Sequence, residues 1–186
     1  MTDPTIERPP ELLRQDDGPQ QGHLVRAELL LETHRVTGAF EQSGPPKRLV
    51  DTLNAIDGPT AVLRDAIVES LANHGEDQLR FDLLQLKRDA ILVAIPATDI
   101  PHSPGAEIIE KKPVLATFML PGLEVTGHAY LPQAADPAAM PMLGRESFLP
   151  VKDAHLTQVA HGGGRRQEPL VVVNLGRVLL YAPDLS

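Results

Sequence analysis

Two short stretches of this 186-residue chain occur twice, and they decide its fold. Residues 36–38 read Val-Thr-Gly, and Val-Thr-Gly returns at 125–127, an offset of 89. Residues 63–66 read Leu-Arg-Asp-Ala, and Val-Lys-Asp-Ala returns at 151–154, an offset of 88. Matches in the same order at a nearly constant offset are typical of a tandem duplication, in which both units fold on one plan.

The later parts of the two units match as well. His74-Gly75 recurs as His161-Gly162, and residues 90–96 align with 177–183, both at an offset of 87. Proline-rich, polar segments lie outside the matching parts. The predicted organisation is therefore a flexible acidic tail (1–22), a first unit (23–97), a linker (98–112) and a second unit (113–186).

Each unit is predicted to begin and end with a β-hairpin, because apolar and β-branched segments flank short polar turns. The hairpin segments are 24–32 with 35–40 and 78–86 with 90–95 in unit one, and 114–120 with 124–131 and 170–173 with 177–182 in unit two. Between the hairpins, residues 46–54 start with proline and have the apolar spacing of a short helix. Residues 137–144 are its more degenerate counterpart.

Residues 60–71 fit either a helix or a strand. Val62, Leu63, Ala66, Ile67 and Leu71 have helical spacing. In the second unit, however, Pro150 aligns with Val62, and proline is better placed in an edge strand than inside a helix. We therefore predict a strand in both units. The fold class is mainly β, with two tandem small five-stranded barrels, each containing a short helix or helical turn.

The residues of unit one resemble the Sm-like fold, a small SH3-like barrel of five strands. Its first motif, a glycine-containing strand followed by Asp-x-x-Asn and Leu-x-Asp-Ala, is matched at 36–40, 51–54 and 63–66. The hairpin at 86–95 is similar to the second motif. The chain also resembles uncharacterised bacterial domains with Arg-Leu-x-Asp-x-Leu-Asn, matched at 48–54, and Phe-Leu-Pro-Leu-x-Asp-Ala, matched at 148–154.

The Sm-like resemblance implies single-stranded RNA binding through Asp51, Asn54, Lys87 and Arg88 around a ring pore. Two departures weaken this alternative. The spacing between Asn54 and Leu63 implies an inserted loop, and Asp89 stands where an Arg-Gly pair would hold RNA. An acidic group beside the phosphate path would repel it.

The composition also weighs against nucleic acid. The chain has 17 Lys and Arg against 25 Asp and Glu, a net charge of −8, whereas phosphate binding needs a basic surface. Six aromatic residues leave few for stacking on bases. Nucleic acid is therefore not the favoured partner. No apolar stretch approaches a membrane span, so we expect a cytoplasmic protein without membrane contact.

No catalytic motif or cofactor signature occurs, and the absence of Cys excludes thiol chemistry. Asp65 and Asp153 are the carboxylates at matching positions, and we expect them to act structurally at a bend or turn. His128, His155 and His161 are the candidate metal ligands, but their spacing is weak support for a site. Glycines 162–164 before Arg165 and Arg166 indicate a hairpin tip more than an anion site.

The sequence thus predicts a non-enzymatic binding or assembly module with no cofactor and no metal. Small barrels leave edge strands that can pair with another unit, another chain or a peptide. The apolar closing strands are the predicted interface, represented by Ile91, Val93, Ile95, Val178 and Leu180. RNA binding and an enzyme with a site between the repeats are the alternatives.

Overall fold

The computed structural model describes residues 23–45, 47–72, 78–98, 110–142, 147–159 and 164–184. The predicted tail, Pro46 and most of the predicted linker lie outside these residues, as do His74 and His161. The described chain is mainly β, as the sequence predicts.

Ten strands and one α-helix form the described structure. Unit one contains β1 (His23–Leu30), β2 (His34–Gln42), α1 (Leu49–Asn54), β3 (Thr60–Ser70), β4 (Gln78–Lys87) and β5 (Val93–Pro96). Unit two contains β6 (Lys111–Leu120), β7 (Leu123–Pro132), β8 (Phe148–Gln158), β9 (Arg165–Asn174) and β10 (Leu180–Pro183). Short 3-10 helices cover Arg88–Ala90, Pro137–Met142 and Leu175–Arg177.

The strands form one antiparallel sheet in the order β10-β6-β7-β8-β9-β5-β1-β2-β3-β4. Each unit contributes five neighbouring strands in the same internal order, which agrees with the repeated sequence. The prediction that residues 60–71 form a strand is confirmed by β3, and α1 confirms a short helix within 46–54. In the second unit, a 3-10 helix at Pro137–Met142 stands in the place of α1.

Two closed barrels are not confirmed, because the described sheet is open. Closure of unit one would require β5 to pair with β4. Instead β5 lies between β1 of its own unit and β9 of the other unit. A strand has only two hydrogen-bonding edges, so this pairing with unit two leaves β5 no edge for β4.

The repeated motifs meet where the sheet bends. The register between β2 and β3 shifts between Thr37 and Ala39, and the register between β7 and β8 shifts at the equivalent Thr126 and His128. Opposite these shifts, Asp65 and Asp153 have φ values of 50° and 49°. Asp tolerates this left-handed conformation better than most residues. Both carboxylates are exposed, so the aspartates act at a bend through their backbone.

Glycine is required opposite each bend because the strands approach closely. A Cβ atom on Gly127 would lie 2.7 Å from the carbonyl oxygen of Lys152 and 2.8 Å from Cγ1 of Val151. On Gly38 the nearest atom would be Cδ2 of Leu63, at 2.9 Å. The close neighbour of Gly127 is backbone, whereas that of Gly38 is the end of a flexible side chain. A Cβ atom is therefore harder to accommodate at Gly127 than at Gly38.

The apolar side chains form two cores, one mainly from each unit. The first core contains Phe118, Val125 and Val151 of unit two together with Leu92 and Val93 from unit one. The second contains unit-one residues such as Leu53 and Leu63, together with Phe148 and Val172 from unit two. Because each core borrows side chains from the other unit, neither unit has a separate core.

We expect Gly127→Ala to destabilise the fold by about 1–3 kcal/mol, since the new methyl group overpacks against backbone. Gly38→Ala should cost less, because the Leu63 side chain can move. Gly164→Ala is the matched control, since among the described residues its Cβ would meet only the Oε1 of Gln158, at 3.6 Å. Urea unfolding of the three variants tests this order. Equal stability of Gly127→Ala and Gly164→Ala would contradict the close approach.

Candidate functional site at the junction and the outer edges

The junction between the units is a short strand pairing. Val93 lies opposite Val173, and Ala94 lies opposite Val172. Just beyond this ladder, the N–H of Asn174 donates to the carbonyl oxygen of Leu92, at 3.0 Å. All these residues are buried, so the two units join through a dry, hydrogen-bonded contact.

The side chain of Asn174 completes this contact. It is 4% exposed; its Nδ2 donates to the carbonyl oxygen of Ile91 at 2.8 Å, and its Oδ1 accepts from the N–H of Gly176 at 3.0 Å. A buried amide must have its polar atoms paired, since an unpaired one would cost about 1–3 kcal/mol. The Asn174 side chain therefore has a partner for its Nδ2 and for its Oδ1, and the second of these bonds stabilises the turn that follows β9.

Asn54, at the end of α1, ties unit one to unit two a second time. Its Nδ2 donates to the carbonyl oxygen of Phe148 at 2.9 Å, and its Oδ1 accepts from the N–H of Phe148 at 3.0 Å. This two-way pairing fixes the first residue of β8. The amide predicted to contact RNA in the alternative function is thus engaged within the protein.

The other predicted RNA-binding residues lie around the same place. Asp51 forms an ion pair with Arg48, in which Nε lies 2.8 Å from Oδ2. Lys87 is the exposed last residue of β4. The Arg88 guanidinium lies over the Phe148 ring, 5.1 Å from its centroid, and its buried Nε has no hydrogen-bond partner among the described residues.

Arg88 also lines a cleft of about 260 Å³ between the units. Pro59, Phe148, Asn174 and Gly176 are among the other lining residues. Arg88 therefore lies at this cleft together with Phe148, the residue whose backbone pairs with Asn54. The described lining includes the Arg88 guanidinium, the Asn174 amide and the single carboxylate of Asp89, so it holds no pair of carboxylates for acid–base chemistry.

Two arginines form an ionic rim around the junction. Arg166 binds Glu28 across the junction and Glu168 on its own strand. Burial alone would lower the pKa of Arg166, but the hydrogen bonds to these two carboxylates outweigh it and raise the pKa above its usual value. Arg177 contacts the carboxylate of Glu32 and donates to the carbonyl oxygen of Asp89, at 2.7 Å. The contacts of Arg166 with Glu28, and of Arg177 with Glu32 and Asp89, link the two units at the rim of the junction.

Tyr181 anchors β10. Its hydroxyl donates to the carbonyl oxygen of Pro137 at 2.8 Å, and its ring lies 5.4 Å from that of Phe118. Burial, and then the charge of Asp136, raises the pKa of Tyr181. The contacts describe a structural residue that holds the 3-10 helix against the edge strand.

The predicted metal ligands do not gather within the described residues. Nδ1 of His128 lies 3.7 Å from Oδ2 of Asp153, whereas His155 lies opposite Thr126. His161 and glycines 162–163 fall outside the described residues. Across the ranges that the structure describes, no three His, Asp or Glu side chains are placed to hold a metal ion.

The predicted interface residues lie in two different settings. Ile91, Val93 and Ile95 are all buried. Val93 and Ile95 belong to β5, which has a strand on either side, and Ile91 precedes it. Val178 is half-buried, and Leu180 is 64% exposed on β10. In the described sheet, β10 pairs only with β6, and β4 pairs only with β3. The two outer edges are therefore β10 and β4.

The sequence predicted a strand at 78–86, paired in a hairpin with 90–95, but β4 instead forms an outer edge of the sheet with exposed apolar side chains. Leu79, Phe81 and Leu83 alternate along it and are 58%, 40% and 52% exposed. Comparison of the two units could have revealed this exposed apolar strand. Leu79 and Phe81 of unit one are equivalent to the charged Arg166 and Glu168 of unit two. Hydrophobic side chains thus stand at the outer edge of unit one where unit two has charged ones.

Comparison of the chain with protein-family models, curated proteins and solved structures gives no match. None of the helices among the described residues has the length and apolar composition needed to cross a bilayer.

We expect Asn54→Ala to destabilise the protein by about 1–3 kcal/mol, because it leaves the N–H and C=O of Phe148 without their partners. Asp51→Ala on the same helix is the control, since loss of an exposed ion pair costs about 0–1 kcal/mol. Equilibrium unfolding in urea measures both. Similar losses for the two variants would show that the Asn54 contact does not hold the units together.

Proposed function

We propose that this chain is a non-enzymatic binding or assembly module that acts through strand-edge contacts with protein partners. The observation that carries the proposal is the pairing of β5 with β9, in which the edge of one unit recruits the edge of the other. The outer strands β4 and β10 are the corresponding edges without a second strand neighbour in the described sheet. Unpaired strand edges are templates for strand addition.

The exposed side chains support the same function. Leu79, Phe81 and Leu83 on β4, Leu180 on β10 and Leu179 just before it are large apolar residues exposed at 40% or more. The same strands also carry Arg80, Asp82 and Lys87 on β4 and Pro183 on β10, residue types that commonly limit edge pairing, so the apolar positions are what favours a partner. An apolar edge with open hydrogen-bonding groups favours association.

We also infer that each unit is an opened member of the small Sm-like barrel class, working in the cytoplasm. Five strands, a short helix in unit one between the second and third strands, and the repeated Gly and Asp bend positions support this class. A chain without Cys needs no oxidising compartment to fold.

A backbone substitution at Gln85 tests the proposed function. Gln85 is exposed on β4. Its N–H points away from β3, because the N–H of Arg88 donates to Pro59 on the β3 side and the direction alternates along the strand. We expect Gln85→Pro to remove this outward donor without breaking the β3–β4 ladder, and Gln85→Ala to keep it. Tagged wild-type and variant chains are used to capture partners from a native extract.

The expected result is a set of proteins that wild type and Gln85→Ala retain and Gln85→Pro loses. Circular dichroism and a thermal melt establish that both variants are folded. Identical capture by all three chains would contradict strand addition at β4.

RNA binding is the second candidate function, favoured by the cleft where Arg88 and Asn54 both contact Phe148. The net charge of −8 opposes it. Gel retardation of short single-stranded RNA at low salt decides the matter. We expect no retardation by wild type. Retardation that Arg88→Gln weakens, and that Arg80→Gln on the exposed face of β4 leaves unchanged, would favour RNA binding over the assembly function.

A further inference from the structure

We propose that a cavity beside the junction binds a small organic anion that has an apolar body and one carboxylate. The cavity has a volume of about 220 Å³ and is lined by residues of β1, β2 and β3 in unit one and of β7, β8 and β9 in unit two. It lies apart from the outer edges β4 and β10. It therefore adds a small-molecule site to the proposed function and does not depend on that function.

The inner part of the cavity is apolar. Leu30, Leu123 and Leu156 line it and are buried, and the half-buried Leu71 lies beside them. Leucine side chains offer no hydrogen bond to a polar ligand group, so this part favours hydrocarbon. The size is suitable as well, since a cavity of about 150 Å³ holds a benzene ring. A cavity of about 220 Å³ has room for a ring and a short chain.

Charged side chains also line the cavity, and most of them are paired. Arg35 binds Glu69, with 2.7 Å between the Nε of the arginine and Oε2 of the carboxylate. Arg166 binds Glu28, and it also binds Glu168, which is not part of the described lining. Both carboxylates of the described lining therefore already have a guanidinium partner.

Arg165 is the remaining charged residue of the described lining, and it is exposed. Its side chain forms no hydrogen bond or ion pair with any other described residue. A carboxylate ligand could accept two parallel N–H···O bonds from this guanidinium. An ammonium ligand would instead find both lining carboxylates occupied and would be repelled by the three guanidinium groups. The lining therefore favours an anion.

The repeat shows that these charges are not a requirement of the fold that both units share. The residues equivalent to Glu28, Arg35, Glu69, Arg165 and Arg166 are, in that order, Thr117, Glu124, Thr157, Gln78 and Leu79. None of the five positions keeps its charge in the other unit.

Stabilisation of the junction does not explain the charged set either. Among the contacts of these five residues, that of Arg166 with Glu28 joins the two units. The pair of Arg35 and Glu69 lies within unit one. The unpaired guanidinium of Arg165 stabilises neither unit nor the junction, which is consistent with a role in binding a ligand.

Three small molecules with the same phenylpropyl body test the site: phenylpropanoate, phenylpropanol and phenylpropylamine. At neutral pH they carry a negative charge, no charge and a positive charge. Each is titrated into the isotope-labelled whole chain, and amide NMR spectra locate the binding site and give the affinity.

We expect phenylpropanoate to shift the amide signals of Leu30, Leu123 and Leu156 and to bind about tenfold more tightly than phenylpropanol, because a charged acceptor strengthens the hydrogen bonds. Phenylpropylamine should bind most weakly. Added salt should weaken binding of the carboxylate and leave that of the alcohol nearly unchanged. Equal affinities for carboxylate and alcohol would refute an anion site. Signal changes confined to other parts of the chain, or none at all, would refute binding in this cavity.

Arg165→Gln removes the guanidinium and keeps a polar side chain. We expect this variant to bind phenylpropanoate about tenfold more weakly than wild type. Arg80→Gln, at an exposed position on β4 outside the described lining, is the matched control and should bind like wild type. Circular dichroism and a thermal melt establish that both variants are folded. Unchanged affinity in Arg165→Gln would contradict the proposed site. None of these titrations involves the Gln85-dependent capture of partners, so either proposal can fail without the other.

Discussion

The close approach of β2 to β3, repeated between β7 and β8, is the constraint on which the sheet depends. At each place a glycine without Cβ lies against the neighbouring strand, and an aspartate in the left-handed region turns that strand. A side chain in place of either glycine would push the two strands apart. With the bend, apolar side chains on both sides of it, such as Leu63 and Ala66, enter one core. The duplicated motifs are therefore the geometric requirements of a bent sheet.

The junction explains why two similar units behave as one body. Each core includes side chains from the other unit, and Asn54 and Asn174 pair their amides with backbone groups across the boundary. Removal of one unit would expose apolar surface and leave the buried Asn174 amide, or the backbone groups of the buried Phe148, unpaired. The β5–β9 contact is thus part of the folding of both units.

Much of the local structure could be predicted from the sequence, because repetition resolves ambiguity. Val62 to Leu71 alone fits a helix, and the proline at position 150 of the second copy identifies a strand. Whether each unit closes into a barrel could not be predicted from the repetition. Whether β5 pairs with β4 or with β9 depends on competition between two edges, and alternating apolar residues suit either. The partner of Asn54 lies 94 residues away, at Phe148, and no local pattern indicates it.

The junction strand β9 and the outer strand β4 differ in chemistry at one pair of equivalent positions, Asn174 and Lys87. Asn174 ends β9 with an uncharged amide that is buried and fully bonded. Its counterpart at the end of β4 is Lys87, an exposed residue whose ammonium group keeps its hydration. The two matching units therefore differ in both charge and burial at this position. At the inner edge this position is a buried, hydrogen-bonded amide, and at the outer edge it is a charge exposed to water.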